Sequence, residues 1–170
     1  MSLVLGEFGE LVGETLVAVP LTYYWCQQLG PKVTEEDKVD CVAHGGDPTQ
    51  ALLTGMEAGP SCAILDRETR QVMGACGWTY EGNIWSLWSD LTSTQMREIM
   101  RHTKPAVAYM HRQALARGLI LSNVVWEGNR RAITWLRASK CFDFADQDIL
   151  HGGLRFIPFF VKPLEALLDV

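Results

Sequence analysis

The sequence LILSNVVWEGNRRAITWLRASKCFDF, residues 119–144, predicts a strand, a helix and a second strand in succession. The β-branched and aromatic residues at 119–126 are typical of a buried strand. Asn129 can cap the segment that follows, because its side-chain oxygen can accept from the free N–H groups of a first helical turn. Apolar side chains then recur at helical spacing over 132–139. The helix should end near residue 140, before an extended segment at 141–144.

Part of this stretch resembles the GNAT acetyltransferases. Those proteins carry an Asn after their fifth strand, an Ala and an aliphatic residue three and four positions on, then a Tyr, then Gly-Phe. Asn129, Ala132 and Ile133 match the start of that pattern. The variant Asn-Arg-Arg-Ala-Ile-Thr-Trp-Leu-Arg looks most like the GNAT-like internal virion protein A family of short-tailed phages. The similarity covers roughly residues 20–144. It implies an α+β, GNAT-like fold, in which helices flank a mixed central sheet of six to seven strands.

Two positions depart from the pattern that the resemblance sets. Active GNATs use their Tyr to protonate the departing thiolate of coenzyme A, and this chain has Leu136 there. A leucine has no proton to give. Where the family has Gly-Phe, the chain reads Lys140-Cys141-Phe142. Both differences argue against acetyl transfer.

The segment that follows the predicted fourth strand is a third departure. Active GNATs place an Arg/Gln-x-x-Gly-x-Gly/Ala turn there, and its bare backbone N–H groups bind the pyrophosphate of acetyl coenzyme A. The corresponding residues here, 89–98, include no glycine. Side chains would crowd the turn and Asp90 would repel a phosphate, so the resemblance implies a weakened cofactor site. The candidate cofactor-binding residues are Leu91, Thr92, Ser93, Thr94 and Asn129.

Two carboxylates stand where GNATs often draw a general base. Glu81 and Asp90 lie at the end and the start of predicted elements. A carboxylate beside a turn is more often a turn former or a cap, so both readings stay open. Cys41 and His44, three residues apart, could share a metal, but no second pair is spaced to complete such a site. We therefore predict no metal centre.

Composition places limits on the class of protein. The chain has 170 residues, 48% of them hydrophobic, which fits one globular domain with a sizeable core. Its net charge of −5 argues against a broad nucleic-acid-binding surface. No apolar run approaches the roughly 18 residues of a membrane span, and no secretory signal is visible. Five cysteines without a CxxC motif predict free thiols in a reducing compartment.

The N-terminal residues are apolar but interrupted by glycines. They form either a frayed leader or an arm that orders against a partner subunit, since exposed leucine and phenylalanine side chains are costly in water. In the second case, the side chains that would contact the partner are Leu3, Leu5, Phe8 and Leu11. We predict an arm at 1–13, a single GNAT-like domain at 14–163 and a tail at 164–170.

Elements between the arm and the motif follow from capping and turn residues. The sequence predicts a first strand, three short helices, a three-stranded antiparallel meander, and two helices separated near Pro105. A loop and a final strand follow the motif. The predicted ranges are 14–19, 22–29, 34–43, 47–55, 61–65, 71–80, 84–89, 92–102, 106–118, 145–153 and 154–161.

Two functions of different classes fit the sequence. In the first, a GNAT-fold phage protein without catalysis or cofactor acts as an internal virion or assembly component. Its partners would be other virion or host proteins, with oligomers as an option, in the virion or the host cytoplasm. In the second, an active N-acetyltransferase passes acetyl from acetyl coenzyme A to an amine of a protein or small molecule. Leu136 and the glycine-free 89–98 segment favour the first.

Overall fold

The computed structural model describes residues 13–168, and the predicted arm residues Leu3, Leu5, Phe8 and Leu11 lie outside that range. Strand β1 leads into three short helices, each begun by a side-chain cap at Thr22, Thr34 or Asp47. These oxygens accept from N–H groups that have no partner within the helix, as the sequence predicts. The bounds are β1 Leu16–Pro20, α1 Tyr23–Leu29, α2 Glu35–Ala43 and α3 Pro48–Ala58, with a 3₁₀ turn at Gly30–Lys32.

A four-stranded antiparallel sheet contains the first half of the chain. It has the order β1-β2-β3-β4, where β2 is Ser61–Asp66, β3 is Val72–Trp78 and β4 is Ile84–Trp88. The predicted meander is therefore confirmed. The β2–β3 register shifts between Ile64 and Leu65. Gly74 lies beside this bulge and leaves space for the Trp88 ring, which an added Cβ would meet at 2.0 Å.

The second half of the chain forms a separate four-stranded sheet. Strand β5, Ser122–Trp126, pairs with β8, Leu154–Val161. Strand β8 also pairs with β6, Phe142–Phe144, and with β7, Ile149–His151. The prediction of one mixed sheet of six to seven strands is thus wrong in detail. Within residues 13–168, eight strands form two sheets, and their ladders are all antiparallel. The two sheets are joined by one parallel bridge between Asn83 and Ser122 among the described residues.

The predicted break near Pro105 is also wrong. A single helix, α4, runs over Ser93–Leu115 with Pro105 inside it. Proline in a helix interior costs about 3 kcal/mol, but Val107, Met110 and Ala114 bury the helix in the core on its C-terminal side. Full burial of a valine or methionine side chain contributes roughly 1.5–3 kcal/mol. Tertiary packing therefore outweighs the local cost.

The region after the motif holds a hairpin where the sequence predicts a loop. Helix α5, Arg130–Ser139, leads into β6, Phe142–Phe144. Strand β7, Ile149–His151, then pairs with the start of β8. The two-residue turn is Gly152-Gly153, with φ of 56° and 78°, the left-handed backbone that two-residue hairpin loops favour. All three β7 side chains are exposed, so apolar alternation gave no signal for a strand.

The core is divided between the two faces of the first sheet. One cluster packs α1 and α3 on one face, with Leu29, Leu52 and Leu65 fully buried. The larger cluster joins α4, α5 and the second sheet on the other face. A last short helix, α6, Leu164–Leu168, contributes Leu167 to it. Within residues 13–168, no helix is both long enough and apolar enough to cross a bilayer.

Candidate functional site

The cleft is the space between β4 and β5, which start together and then diverge. At the closed end Asn83 bridges to Ser122, Ser122 N donates to Gly82 O at 2.9 Å, and Asn123 Nδ2 donates to Ile84 O at 2.7 Å. Beyond that point, among the residues that the structure describes, β4 pairs only with β3, and β5 only with β8. Their facing edges therefore present backbone groups to the cleft, which an extended ligand could use.

A cavity of about 860 Å³ occupies the cleft and the space above it. This volume lies within the range of roughly 300–1,000 Å³ that is typical of small-molecule sites. Strands β4 and β5 form its walls, together with parts of α2, α3 and α5. The lining includes Asp37, Asp40 and Asn129, and the apolar side chains Trp85, Trp135 and Leu136.

Two carboxylates and one amide span the open end of the cleft, and we call Asp37, Asp40 and Asn129 the acid–amide cluster. Asn129 Nδ2 donates to Asp37 Oδ1 at 2.8 Å and to Asp40 Oδ2 at 3.3 Å. Trp88 N donates to Asp37 Oδ2 at 3.1 Å, and Trp126 N donates to Asp40 Oδ1 at 3.1 Å. The two carboxylates of α2 therefore accept hydrogen bonds from the last N–H group of β4 and of β5.

Burial makes both carboxylates hard to ionise. Desolvation raises the pKa of Asp37 above its usual value, opposed by hydrogen bonds from Asn129 and Trp88 N. Desolvation likewise raises the pKa of Asp40 to about 6, with hydrogen bonds from Asn129 and Trp126 N in opposition and Asp37 adding to the rise. Asp40 therefore changes charge near neutral pH, and a base in this range can accept a proton from an amine or water.

The start of α4 is capped by its own side chains. Thr92 N donates to Gln95 Oε1 at 2.9 Å, and Gln95 N donates to Thr92 Oγ1 at 3.2 Å. This reciprocal capping box uses N–H groups that a helix N-terminus would otherwise offer to an anion. Gln95 Nε2 also donates to Asp66 Oδ2 at 3.2 Å. Of the candidate cofactor residues in this segment, Leu91 lines the cavity, whereas Thr92, Ser93 and Thr94 do not.

The two catalytic candidates lie outside the cavity. Glu81 is exposed in the β3–β4 turn, and its N–H donates to Thr79 Oγ1 at 3.3 Å. The Asp90 side chain is 98% exposed and lies 3.5 Å from Arg131 in an ion pair. Neither carboxylate lines the cavity. A role as catalytic base stays a prediction for both, and the acid–amide cluster is better placed for it.

Leu136 lies where the family pattern has Tyr and is only 4% exposed. It lines the cavity, as do the hydroxyl-bearing residues Thr34, Thr54, Ser86 and Ser122. No tyrosine of the described residues belongs to that lining. A serine or threonine hydroxyl is a much weaker acid than a phenol, so these groups are poor proton donors to a thiolate.

Cys41 and His44 do not form a metal pair. His44 Nδ1 donates to the Asp40 carbonyl at 2.8 Å, and its ring stacks on His151 with centroids 5.5 Å apart. Burial and the nearby Asp37 and Asp40 raise the pKa of the Cys41 thiol to about 12. In the described part of the chain, no three His, Cys, Asp or Glu side chains converge as a metal site would require.

Asp37 and Asp40 are the site residues that sequence reasoning missed. Thr34 and Asp37 have the spacing of a capping box, and only half of such a box forms. Thr34 Oγ1 accepts from Asp37 N at 3.4 Å, while the Asp37 carboxylate turns into the cleft. The available signal was their spacing of three, which puts both acids on one helix face. Their partners in β4, β5 and α5 are too distant in sequence to foresee.

Comparison with known proteins gives a consistent answer for the fold. No protein-family profile and no curated protein sequence matches the chain. Among solved structures, a chimeric spermidine N-acetyltransferase from Vibrio cholerae matches with a TM-score of 0.62 and 10% identity, over 92% of this chain and 100% of that one. A GNAT-family acetyltransferase from Bacillus anthracis matches with a TM-score of 0.59 and 10% identity, over 89% and 96%.

A third match is an acetyltransferase of a protein substrate. The ribosomal-protein-S5-alanine acetyltransferase from Vibrio fischeri matches with a TM-score of 0.55 and 12% identity, over 88% of this chain and 93% of that one. Identities this low establish a shared fold and no shared reaction. The diverging β4 and β5 strands, the Asn129-capped helix and these matches agree: the chain has the GNAT acetyltransferase fold.

Proposed function

We propose that this chain is a non-catalytic GNAT-fold protein that acts through contacts with other proteins. The observation that carries the proposal is the acid–amide cluster. Asp37 and Asp40 hold the N–H groups of Trp88 and Trp126 at the open end of the cleft. A ligand that enters along either strand would have to displace them. Removal of one partner from such a buried polar group costs about 1–3 kcal/mol, so displacement opposes binding.

Two further features support the absence of acetyl transfer. The capping box at Thr92 and Gln95 uses first-turn N–H groups that would bind the cofactor's phosphates. Leu136 stands at the position of the family's proton donor and is buried. The first feature weakens cofactor binding and the second removes the proton donor from the chemical step, so a single compensating residue would not restore the reaction.

The class of partner follows from the resemblance of the motif at 129–137 to the internal virion protein A family. On that basis the chain is a virion or assembly component of a short-tailed phage. The end of α2 meets β7, where His151 Nε2 donates to Ala43 O at 2.8 Å, and the nearby apolar side chains of Val42, Ile149 and Leu150 are 67%, 50% and 75% exposed. Large exposed apolar side chains that lie near one another are typical of protein contact sites. The predicted arm residues would extend such contacts.

One observation favours a second candidate, an N-acetyltransferase that uses acetyl coenzyme A. The cavity of about 860 Å³ is large enough for a small-molecule substrate, and Asp40 has a pKa of about 6. A base with a pKa near the working pH is suited to take a proton from an amine. In that case α2 would have to move, because the Asp37 and Asp40 oxygens occupy the strand-end N–H groups.

A calorimetric titration with acetyl coenzyme A separates the two candidates. We expect no saturable heat at millimolar ligand, and no coenzyme A release above the spontaneous rate with spermidine or a lysine peptide as acceptor. The Leu136→Tyr variant should stay equally inactive, because Asp37 and Asp40 still occupy the strand-end N–H groups. Leu136→Phe is the size-matched control. Saturable binding together with turnover, in the natural chain or in Leu136→Tyr, would overturn the non-catalytic proposal.

Mass spectrometry tests the virion part of the proposal. The protein should be present at a fixed ratio to the structural proteins in purified particles of the phage that encodes it. Its presence only in the infected-cell lysate, with none in gradient-purified particles, would contradict a place in the virion. This outcome is independent of the titration, since a packaged protein could still be an enzyme.

A further inference from the structure

Two cysteine side chains meet on the face of the first sheet that α4 covers. Cys62 on β2 lies directly opposite Cys76 on β3 in the antiparallel register. Their Sγ atoms are 3.5 Å apart, and Ala106 and Tyr109 of α4 pack over them. A sulfur–sulfur bond is about 2.05 Å long, so the atoms need to approach by roughly 1.5 Å.

The backbone at this pair suits a disulfide. Trp78 N donates to Pro60 O at 3.1 Å two residues away. Because the ladder alternates with a period of two, Cys62 and Cys76 form a pair of the same, hydrogen-bonded kind. Such pairs have Cα atoms about 5.5 Å apart, which is near the commonest value for disulfides. The Cβ atoms of directly opposite residues lie about 4.5–5.5 Å apart, and those of a disulfide about 3.5–4.5 Å. Rotation of the two side chains, together with a small approach of the two strands, therefore closes the bond.

We propose that Cys62 and Cys76 form an oxidative modification site, at which a small-molecule disulfide such as oxidised glutathione converts the two thiols into one cross-strand disulfide. Access is from the side of Cys76, which is partly exposed. Both residues also line an apolar cavity of about 120 Å³ between the sheet and α4. This site is separate from the acid–amide cluster and does not depend on the proposed function.

Exposure sets the order of events. Cys76 is partly exposed whereas Cys62 is buried, so Cys76 is the thiol that meets the oxidant and attacks it as the thiolate. It displaces one thiol from the oxidant and forms a mixed disulfide. Cys62 then attacks the Cys76 sulfur, gives up its proton and displaces the second thiol. The two protein thiols lose two hydrogens, and the oxidant becomes two thiols.

The remaining cysteines provide internal controls. Burial raises the pKa of Cys26 to about 11 and of Cys41 to about 12, and it also raises the pKa of Cys141. Each is buried. A thiol that stays protonated is a poor nucleophile, so these three should remain reduced under conditions that oxidise the pair.

The test exposes the reduced, full-length protein to a graded ratio of oxidised to reduced glutathione and then traps free thiols under denaturing conditions. Peptide mapping should show Cys62 linked to Cys76, while Cys26, Cys41 and Cys141 are alkylated. The bond closes a loop across 14 positions, so the oxidised form should unfold at a temperature higher by about 6 °C or more.

Two variants make the result decisive. Cys62→Ser should stop at the mixed disulfide on Cys76, which adds the mass of one glutathione, whereas Cys141→Ser should form the cross-link like the natural chain. The mapping of the natural chain stands even if a variant fails to fold. Five alkylated cysteines at an oxidising ratio that forms disulfides in a control peptide would overturn the proposal. A persistent glutathione adduct on the natural chain would do the same.

Discussion

Different kinds of hydrogen bond connect β4 and β5 at the two ends of the cleft. At the closed end, neutral groups join the strands, with Ser122 N bound to Gly82 O and Asn123 Nδ2 bound to Ile84 O. At the open end, buried carboxylates of Asp37 and Asp40 do so through Asn129. Burial of neutral hydrogen-bonded groups costs little free energy, whereas a buried carboxylate loses much of its hydration. The contact between α2 and the strand ends at the open end therefore depends on pH and on each member of the acid–amide cluster.

The largest expected effect comes from the residue that joins both acids. Asn129→Ala removes the cap of α5, where Asn129 Oδ1 accepts from Ala132 N at 3.0 Å, and leaves two buried carboxylates without their bridge. The loss of unfolding free energy should be about 2–5 kcal/mol, from the lost N-cap and from buried acceptors left without their donor, measured by urea denaturation. Asn123→Ala, at the closed end, is the control and should cost about 1 kcal/mol. Equal losses would show that the two ends are equivalent.

A smaller effect concerns pH at the open end. The folded pKa of Asp40, about 6, lies above its ordinary value of 3.8, so between these values the folded state binds more protons. Stability should therefore rise as the pH falls from 7 to 5, by about 1 kcal/mol for this group. We expect Asp40→Asn to lack this gain, so the difference in unfolding free energy between the two proteins should change by that amount. A difference that is constant over this range would contradict the assignment.

The comparison with Asp40→Asn also removes an opposing contribution. Burial lowers the pKa of His111, whose side chain is 3% exposed. A folded pKa below the unfolded one means that stability falls as the pH drops below about 6.5. This loss is present in both proteins and cancels in their difference. In the natural chain alone, the two effects would partly hide each other.

The capping box of α4 should contribute about 1 kcal/mol. Thr92→Ala removes the oxygen that accepts from Gln95 N, and loss of an N-cap of this kind costs about 0.5–2 kcal/mol. Thr94→Ala, on the exposed first turn, is the matched control and should be near neutral. Thermal unfolding of both variants checks the prediction. A Thr92 variant as stable as the Thr94 variant would mean that the cap is not formed in solution.

The smallest expected effect lies at the end of α5. Lys140 has a φ of 57°, in the left-handed region that favours glycine at a helix C-terminus. The resemblance places the family's glycine near this position. Lys140→Gly should therefore stabilise the protein by about 0.5 kcal/mol, measured by urea denaturation. A destabilisation would show that side-chain contacts of Lys140 outweigh the backbone strain.

Sequence reasoning identified the fold through Asn129 and the strand–helix–strand pattern around it, because caps and periodicity are local properties. It failed where distant partners decide the outcome. Pro105 stays within α4 because packing far along the chain holds the helix, and β7 forms because Gly152-Gly153 returns the chain onto β8. The contact of Asn129 with the two acids likewise depends on partners that are distant in sequence. Its amide reaches Asp37 and Asp40, which lie 92 and 89 positions away.

The carboxylates of Asp37 and Asp40 accept hydrogen bonds from the strand-end N–H groups of Trp88 and Trp126 in the cleft. Backbone NMR of the full chain, titrated with acetyl coenzyme A to millimolar concentration, tests these contacts at the residues concerned. We expect the amide resonances of Trp88 and Trp126 and the side-chain amide of Asn129 to stay unchanged. Saturable shifts at all three, with the Trp88 and Trp126 amides moving together, would show that the cofactor displaces Asp37 and Asp40 and would contradict the account.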